Sequence, residues 1–312
     1  MKNFALIGLA GFVAPRHLAA IRDTGNNLIA ALDISDSVGV VDHFFPKARF
    51  FTNSNDFEAF LSERNASTSQ QAINYVSICS PNHLHYAHIK AALDRNANVI
   101  CEKPLVLNTT ELDRIQELAQ KTNRTVNCVL QLRLHPSWRL VQHQVQASGP
   151  RAKVELTYIT QRGQWYDVSW KGQTELSGGL AMNIGIHLFD LMIWLFGEVE
   201  TVMLYLKTRH KIAGRLILEK AAVDWFLSIK GEDIPLSAAQ QGRTVIRSVK
   251  INDSEIDFAK GFENLHTQVY QQILNGAGFG VDDVRPSIEL VNAIQALDVS
   301  SIPPDAHPLL LR

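Results

Sequence analysis

Residues 4–9, Phe-Ala-Leu-Ile-Gly-Leu, form an unbroken apolar run that stops at a glycine turn and gives way to a helical pattern. A strand apolar on both faces needs helices over both faces, so this run predicts a central strand of a parallel sheet. The unit repeats. Leu18, Ala19 and Ile21 stand close in helical register over Pro15–Asp23, and NNLIAALD supplies a second short strand ending at Asp33. Further on come NYVSICS (Asn74–Ser80), an alanine-rich helix over His85–Leu93, the strand NVICEK, a helix over Thr109–Lys121 and the strand TVNCVLQ. Such alternation predicts a doubly wound α/β domain, whose ligands collect beyond the carboxyl ends of the strands.

The residues at those strand ends suit a dinucleotide. The first turn reads Gly8-Leu-Ala-Gly11-Phe12-Val13-Ala14, one residue longer than the usual G-x-G-x-x-G. Small residues there let a pyrophosphate approach the backbone and the amides of the helix beginning near Ala14. An ordinary glycine turn would read the same way. Asp33, about 20 residues beyond the glycines, can accept both hydroxyls of an adenosine ribose and would repel a 2'-phosphate, which favours NAD over NADP. Ser80, Pro81, Asn82 and His85 follow the next strand and can line the nicotinamide side, although Pro81 and Asn82 equally suit a turn and a helix start. Cys101-Glu102-Lys103-Pro104 ends the strand after that, with Lys103 placed to point toward a nicotinamide and Pro104 ending the strand. His83, His85 and His88 lie at no established ligand spacing with a carboxylate or thiolate, so no metal is expected.

From about residue 151 the texture changes. AKVELTYITQRG, EVETVMLYLKTR, AGRLILEKAAVDWFLSIKG and RTVIRSVKINDSEIDFAK carry β-branched and aromatic residues in partly alternating order, which predicts an antiparallel sheet with one apolar face for a core. The other face is left polar or open to another subunit. A helix is expected over Pro136–Val145 and another within Ser177–Gly197, where Asn183, His187 and Asp190 fall on one face that can look into a cleft between domains. Helices over Gly261–Leu274 and from Pro286 to Leu297 close the chain. The first carries His266 on its polar flank, and the second is a candidate to return to the first domain.

Composition narrows the function. The 312 residues allow two cores, divided at 1–130 and 131–312, and 30 Lys+Arg against 31 Asp+Glu leave no global positive field for nucleic acid. Cys79, Cys101 and Cys128 sit in or beside expected central strands, as small apolar side chains in a reducing, cytoplasmic compartment. Charges and glycines interrupt the longest apolar runs, and the amino terminus lacks a cleavage site, so neither a membrane span nor a signal peptide is expected.

GLAGFVAPRH, the strand end at residues 32–33, SPNHLH at 80–85, CEKPL at 101–105 and GGLAMNIGIHLFDLMIWLFG at 178–197 together resemble the Gfo/Idh/MocA family of oxidoreductases. The likeness covers essentially the whole chain, and the Glu-Lys-Pro motif at a strand end is its most specific mark. It implies an N-terminal Rossmann domain, a C-terminal α/β domain with a large, mostly antiparallel open sheet, and NAD as cofactor; the open apolar face of that sheet in turn predicts a homo-oligomer, a tetramer before a dimer. FALIGLAGFVAPRHLAAI, LRLHPSW and RGQWYDVSWKGQTELSGGLAMNIGIH look especially like family members that oxidise the 3-hydroxyl of UDP-GlcNAcA on the way to a 2,3-diacetamido-uronic acid of lipopolysaccharide.

Under that resemblance Gly8, Gly11, Phe12, Val13, Ala14, Asp33, Ser80, Pro81, Asn82, His85, Glu102 and Lys103 would bind the cofactor. Lys103, Arg133, His135, Arg162, Tyr166, Lys171, Asn183 and His187 would hold the substrate. Many family members carry Asp at the position of Asn183. An amide carries no proton at neutral pH, so Asn183 would orient substrate and leave the catalytic chemistry to Lys103 and His187. Either could be the proton acceptor, with the other steadying the alkoxide. Two competing functions stay open: a sugar or inositol dehydrogenase acting on a neutral polyol, and a noncatalytic NAD sensor. So does the fate of NADH, which either leaves or is reoxidised in place by a 2-oxo acid such as 2-oxoglutarate.

Overall fold

The computed structural model describes residues 1–66, 71–145, 150–258 and 260–311. The first part of the chain runs β1 (Asn3–Ile7), α1 (Ala14–Asp23), β2 (Asn27–Leu32), β3 (Arg49–Phe51), α2 (Ser54–Asn65), β4 (Tyr75–Ile78), α3 (His85–Asp94), β5 (Asn98–Cys101), α4 (Thr109–Thr122) and β6 (Val126–Cys128). Next come α5 (Pro136–Val145), β7 (Ala152–Thr160), the short helices α6 (Trp165–Val168) and α7 (Thr174–Ser177), and α8 (Ile186–Phe196). Strands β8 (Val199–Lys207), β9 (Lys211–Leu218) and β10 (Ala221–Ser228) follow, then α9 (Leu236–Ala239), β11 (Val245–Ile251) and β12 (Ser254–Glu255). Helices α10 (Leu265–Leu274) and α11 (Val281–Ala296) complete the order.

The chain divides into two compact units. One comprises Met1–Leu134 with Asn264–Arg285, the other His135–Glu263 with Pro286–Arg312. Thus α10 and the first turns of α11 belong to the first unit, and the chain from Pro286 onward belongs to the second. Helix α11 starts at Val281, ahead of the expected Pro286. Asp283 accepts the Gly280 N–H at 2.7 Å and stabilises the early start, and Pro286 sits one turn in, where its missing N–H forfeits a single backbone bond.

In the first unit six parallel strands take the order β3-β2-β1-β4-β5-β6. The strand order reverses between β1 and β4, the position at which doubly wound sheets bind ligands. Phe4, Ala5, Leu6, Val76, Val99 and Ile100 are fully buried, as an apolar strand covered on both faces requires. Helix α4 begins where the Asn108 side chain accepts the Glu111 N–H at 2.9 Å and ends at left-handed Asn123.

In the second unit the order is β12-β11-β7-β10-β9-β8. The sheet is mixed, because β7 and β10 pair in parallel while every other neighbouring pair is antiparallel. Its two faces are covered differently. Trp225 on β10 meets Phe189 of α8 edge-on at 5.1 Å, and the next residue, Phe226, points the other way and stacks on His307 of the C-terminal tail at 5.6 Å. Ile159, Ala213, Phe226 and Ile234 form a buried cluster with Leu309 and Leu310 against it, so the face expected to lie open is partly covered by the chain's own tail. The stretch Thr174–Phe196 is, against expectation, long and apolar enough to cross a bilayer, but 72% of its most apolar window is buried in the fold.

Candidate functional site

Gly8 leaves β1 with φ +95°, where an added Cβ would stand 2.7 Å from both Cys79 C and Ser80 N. Glycine is the residue that takes this conformation and lets the ends of β1 and β4 come this close. The turn then closes on itself. Gly11 N–H donates to Gly8 O and Ala14 N–H to Gly11 O, both at 3.0 Å, and α1 starts without a side-chain cap. Within that first turn Pro15 has no N–H and the Arg16 N–H donates to Val13 O at 3.0 Å. Asp33, just past β2, accepts the Ala10 N–H at 2.8 Å through Oδ2 and the Ser35 N–H at 2.9 Å through Oδ1, which fixes the carboxylate beside the turn. Its remaining lone pairs suit ribose hydroxyls. Phe12 and Ile34, in the loops after β1 and β2, are 86% and 93% exposed and offer apolar surface of the kind an adenine covers.

The loops after β4 and β5 are tied together by His85. Its Nδ1 lies 2.7 Å from Pro104 O and its Nε2 2.8 Å from Ser80 O. Burial pushes its pKa down, while both carbonyl contacts pull it up. Ser80 Oγ pairs with His88 Nδ1 at 2.9 Å, and Asn82 is buried behind Pro81. The Lys103–Pro104 peptide is cis.

Glu102 faces inward. Its Oε1 lies 2.9 Å from His266 Nε2 and 3.2 Å from His17 Nε2, and Oε2 accepts the Lys103 backbone N–H at 3.3 Å. Burial pushes this carboxyl up, but the bonds and charges of His17 and His266 outweigh it and hold the group well below the usual range. His17 itself is depressed by burial, against the upward pull of Glu102. Among the described residues, His17, Glu102 and His266 are the one group with metal-ligand chemistry close together. The separations of 2.9 and 3.2 Å are those of hydrogen bonds from the two imidazoles to the carboxylate. Arg133 is built into the same unit, with its guanidinium donating to Asp283 Oδ1 at 3.1 Å and Asp283 O at 2.9 Å.

The second unit presents another set. Between β7 and α8 the chain makes the turns of α6 and α7, and then a π-helical turn over Ala181–Gly185 shifts the register before α8. Asn183 and His187 are half-buried, whereas Asp190 is buried at 2% exposure. Asn183 Nδ2 donates to the Tyr166 hydroxyl at 3.0 Å. Burial raises the pKa of that tyrosine, an effect the Asn183 bond partly offsets. His187 meets Tyr158 of β7 edge-on at 6.1 Å. Lys171 Nζ lies 5.2 Å from the Trp170 ring centre and 5.6 Å from that of Trp165, and burial followed by the Arg162 charge lowers its pKa. Arg162 is exposed, 6.0 Å from Trp165. His135 is not part of this set. It is 1% exposed, its Nε2 bonds Lys260 O at 2.7 Å, and it packs on Phe262.

Sequence reasoning missed His17, Ser77 and Tyr270 as companions of Glu102. They come from α1, β4 and α10, and no spacing signals them.

Residues 2–129 match the NAD-binding Rossmann-fold domain of the Gfo/Idh/MocA oxidoreductase family, and residues 151–216 its C-terminal α/β domain. The chain is 45% identical to the WlbA (WbpB) dehydrogenase of Thermus thermophilus, over 99% of both chains, with TM-scores of 0.95 and 0.94. That protein has been solved with NAD and α-ketoglutarate and with NAD and UDP-GlcNAcA. The WlbA dehydrogenase of Bordetella pertussis shares the fold at 20% identity and a TM-score of 0.77, over 97% of this chain and 98% of that one. Among curated relatives, the uncharacterized oxidoreductase YgjR of Escherichia coli is 26% identical over 65% of this chain, and the match spans 60% of YgjR's own length. The two matching domains and the full-length likeness at 45% identity make the chain a member of the Gfo/Idh/MocA oxidoreductase family, with an NAD-binding Rossmann domain.

Proposed function

We propose that this protein is an NAD-dependent dehydrogenase that oxidises the 3-hydroxyl of UDP-GlcNAcA to the 3-keto sugar, in the synthesis of a 2,3-diacetamido-uronic acid for lipopolysaccharide. The observation that carries the reading is the 45% identity, over 99% of both chains, with a dehydrogenase solved with NAD and UDP-GlcNAcA.

The hydroxyl must shed its proton as its carbon loses hydride, because hydride leaving a neutral alcohol would build positive charge on that carbon. Bound NAD supplies the hydride acceptor at nicotinamide C4. We assign proton abstraction to His187, whose ordinary pKa range lies near neutrality, and stabilisation of the developing alkoxide to Lys103. Asn183 and Tyr166 orient the sugar by hydrogen bonds. Arg162 and Lys171 supply charge for the diphosphate and the uronate. On the cofactor side, the turn from Gly8 through Gly11, Phe12 and Val13 to Ala14 takes the pyrophosphate, Asp33 the adenosine ribose, and Ser80, Pro81, Asn82 and His85 the nicotinamide end.

The direct test offers UDP-GlcNAcA, UDP-GlcNAc, glucose and myo-inositol with NAD at neutral pH and follows NADH absorbance. Turnover of UDP-GlcNAcA is expected. Turnover of the neutral polyols alone would replace the reading with a polyol dehydrogenase, and NAD binding without any turnover would make the protein a sensor. Because the Thermus thermophilus protein was solved with α-ketoglutarate, we assign a 2-oxo acid as reoxidant of bound NADH, to be read as added 2-oxoglutarate converting a single burst into continuous turnover. The three buried free cysteines suit the cytoplasm. A tetramer is expected, and light scattering at 34.8 kDa would show a monomer instead.

A further inference from the structure

Five polar side chains of the first unit, brought from β4, the residue after β5, α1 and α10, form one buried chain that ends on the backbone of Lys103. Ser77 Oγ lies 2.6 Å from the Tyr270 hydroxyl, and that hydroxyl lies 2.7 Å from His17 Nδ1. His17 Nε2 and His266 Nε2 converge on Glu102 Oε1, and Glu102 Oε2 takes the Lys103 N–H. The proton positions follow from the acceptors. A carboxylate only accepts, so both histidines present Nε2–H to it. His17 Nδ1 is then an acceptor, Tyr270 donates to it, and Ser77 donates to Tyr270. His17 and Tyr270 are fully buried, and His266 and Glu102 are 6% and 7% exposed. A buried anion is tolerated only where donors surround it, and removing one leaves it uncompensated and free to turn. The Lys103 amide would turn with it.

We propose that His17 and His266 are positioning residues which clamp the Glu102 carboxylate and thereby fix the backbone from which Lys103 is presented. The idea rests on the assignment of Lys103 to the chemistry. It gives Glu102 a role in holding its neighbour, in place of the cofactor contact expected from the sequence. His17 lies on α1, whose first turn carries Ala14, so one network registers the lysine against the dinucleotide turn. A displacement of about 1 Å at a reacting group can cost on the order of a hundredfold in rate.

The test compares His266→Leu, which removes the donor, with His266→Gln, whose Nε2 can donate from nearly the same place. The assay uses UDP-GlcNAcA and NAD at 25 °C, below the melting temperature of each variant. We expect His266→Leu to lower kcat by about 10- to 100-fold, with KM and NAD affinity within about threefold of wild type. His266→Gln should recover most of the loss. Tyr270→Phe, which keeps the ring but frees His17 Nδ1, should lose a smaller factor and serves if His266→Leu does not fold. Placed on a Lys103→Met background, His266→Leu should cost nothing further, because it acts through that lysine. Full kcat in His266→Leu, equal loss in both His266 variants, or an undiminished second loss on the Lys103→Met background would overturn the proposal. Wild-type turnover by Lys103→Met alone would instead overturn the assignment of Lys103, and the clamp with it.

Discussion

In the first unit the candidate residues hang from the ends of strands and the start of one helix, while in the second they hang from the irregular path between β7 and α8. The difference shows in what holds each residue. Gly8, Asp33, Ser80, His85 and Glu102 are fixed largely by backbone amides, backbone carbonyls and buried imidazoles. The side chains of Asn183 and Tyr166 share a hydrogen bond, and those of Arg162 and Lys171 lie beside aromatic rings. A cofactor common to a whole family calls for the rigid arrangement. A substrate that differs between members is better served by side chains that can change without disturbing a sheet.

The contrast can be broken at several points. The largest effect is expected from Lys103→Met, which should lower kcat about a hundredfold or more in the NADH assay. Wild-type turnover would move the chemistry out of the first unit. His187→Ala is its counterpart in the second unit, and full activity with an unchanged pH profile would leave that unit with recognition alone. Gly8→Ala should destabilise the protein by about 1–3 kcal/mol and weaken NAD binding, because the new Cβ would stand 2.7 Å from two backbone atoms. Calorimetry and NAD titration check this. Tyr166→Phe removes a single bond worth roughly 0.5–1.5 kcal/mol, so a rise in substrate KM of up to about tenfold with unaltered NAD affinity is expected from steady-state kinetics.

The smallest effect concerns acid. Burial, followed by the charges of His85 and His83, lowers His88 to about 4 from its ordinary 6.5. A base depressed on folding binds its proton more readily in the unfolded chain. Its contribution is complete above about pH 6.5 and is lost as the pH falls toward 4. His17 and His85, also depressed, act in the same direction, as does Glu102, whose lowered carboxyl loses its contribution at more acid pH. The melting temperature should fall over this window, and His88→Gln should flatten part of the slope. An unchanged slope in that variant would remove His88 from the account.

What could be read from the sequence depended on whether a feature was local. The alternation from Phe4 to Cys128 announced the parallel sheet, and Gly8, Asp33 and Lys103 each close a predicted strand. The three-residue strand β3 and helix α2 went unread, because RFF is too short to show a period and α2 mixes its apolar and charged positions. The parallel pairing of β7 with β10 leaves no trace in either strand's pattern. Arg133 and His135 carry the right chemistry for an anion, yet their partners Asp283 and Lys260 stand far away in sequence. The π turn at Ala181–Gly185, which carries Asn183, has no mark in the sequence, while His187 and Asp190 keep their spacing within α8.

His266 and Tyr270 belong to the first unit, yet His266 follows Glu102 by 164 residues in sequence. On the ribosome, therefore, Glu102 and His17 emerge long before His266 and Tyr270, and the opening segment alone carries a carboxylate with two of its three donors, His17 and the Lys103 N–H. The nucleotide-binding unit is finished only after all the strands of the second sheet have been made. Contacts that distant in sequence slow folding, since a long loop must close before they form. The wait has one benefit, in that the lysine's setting is completed only in a chain already translated past the second sheet.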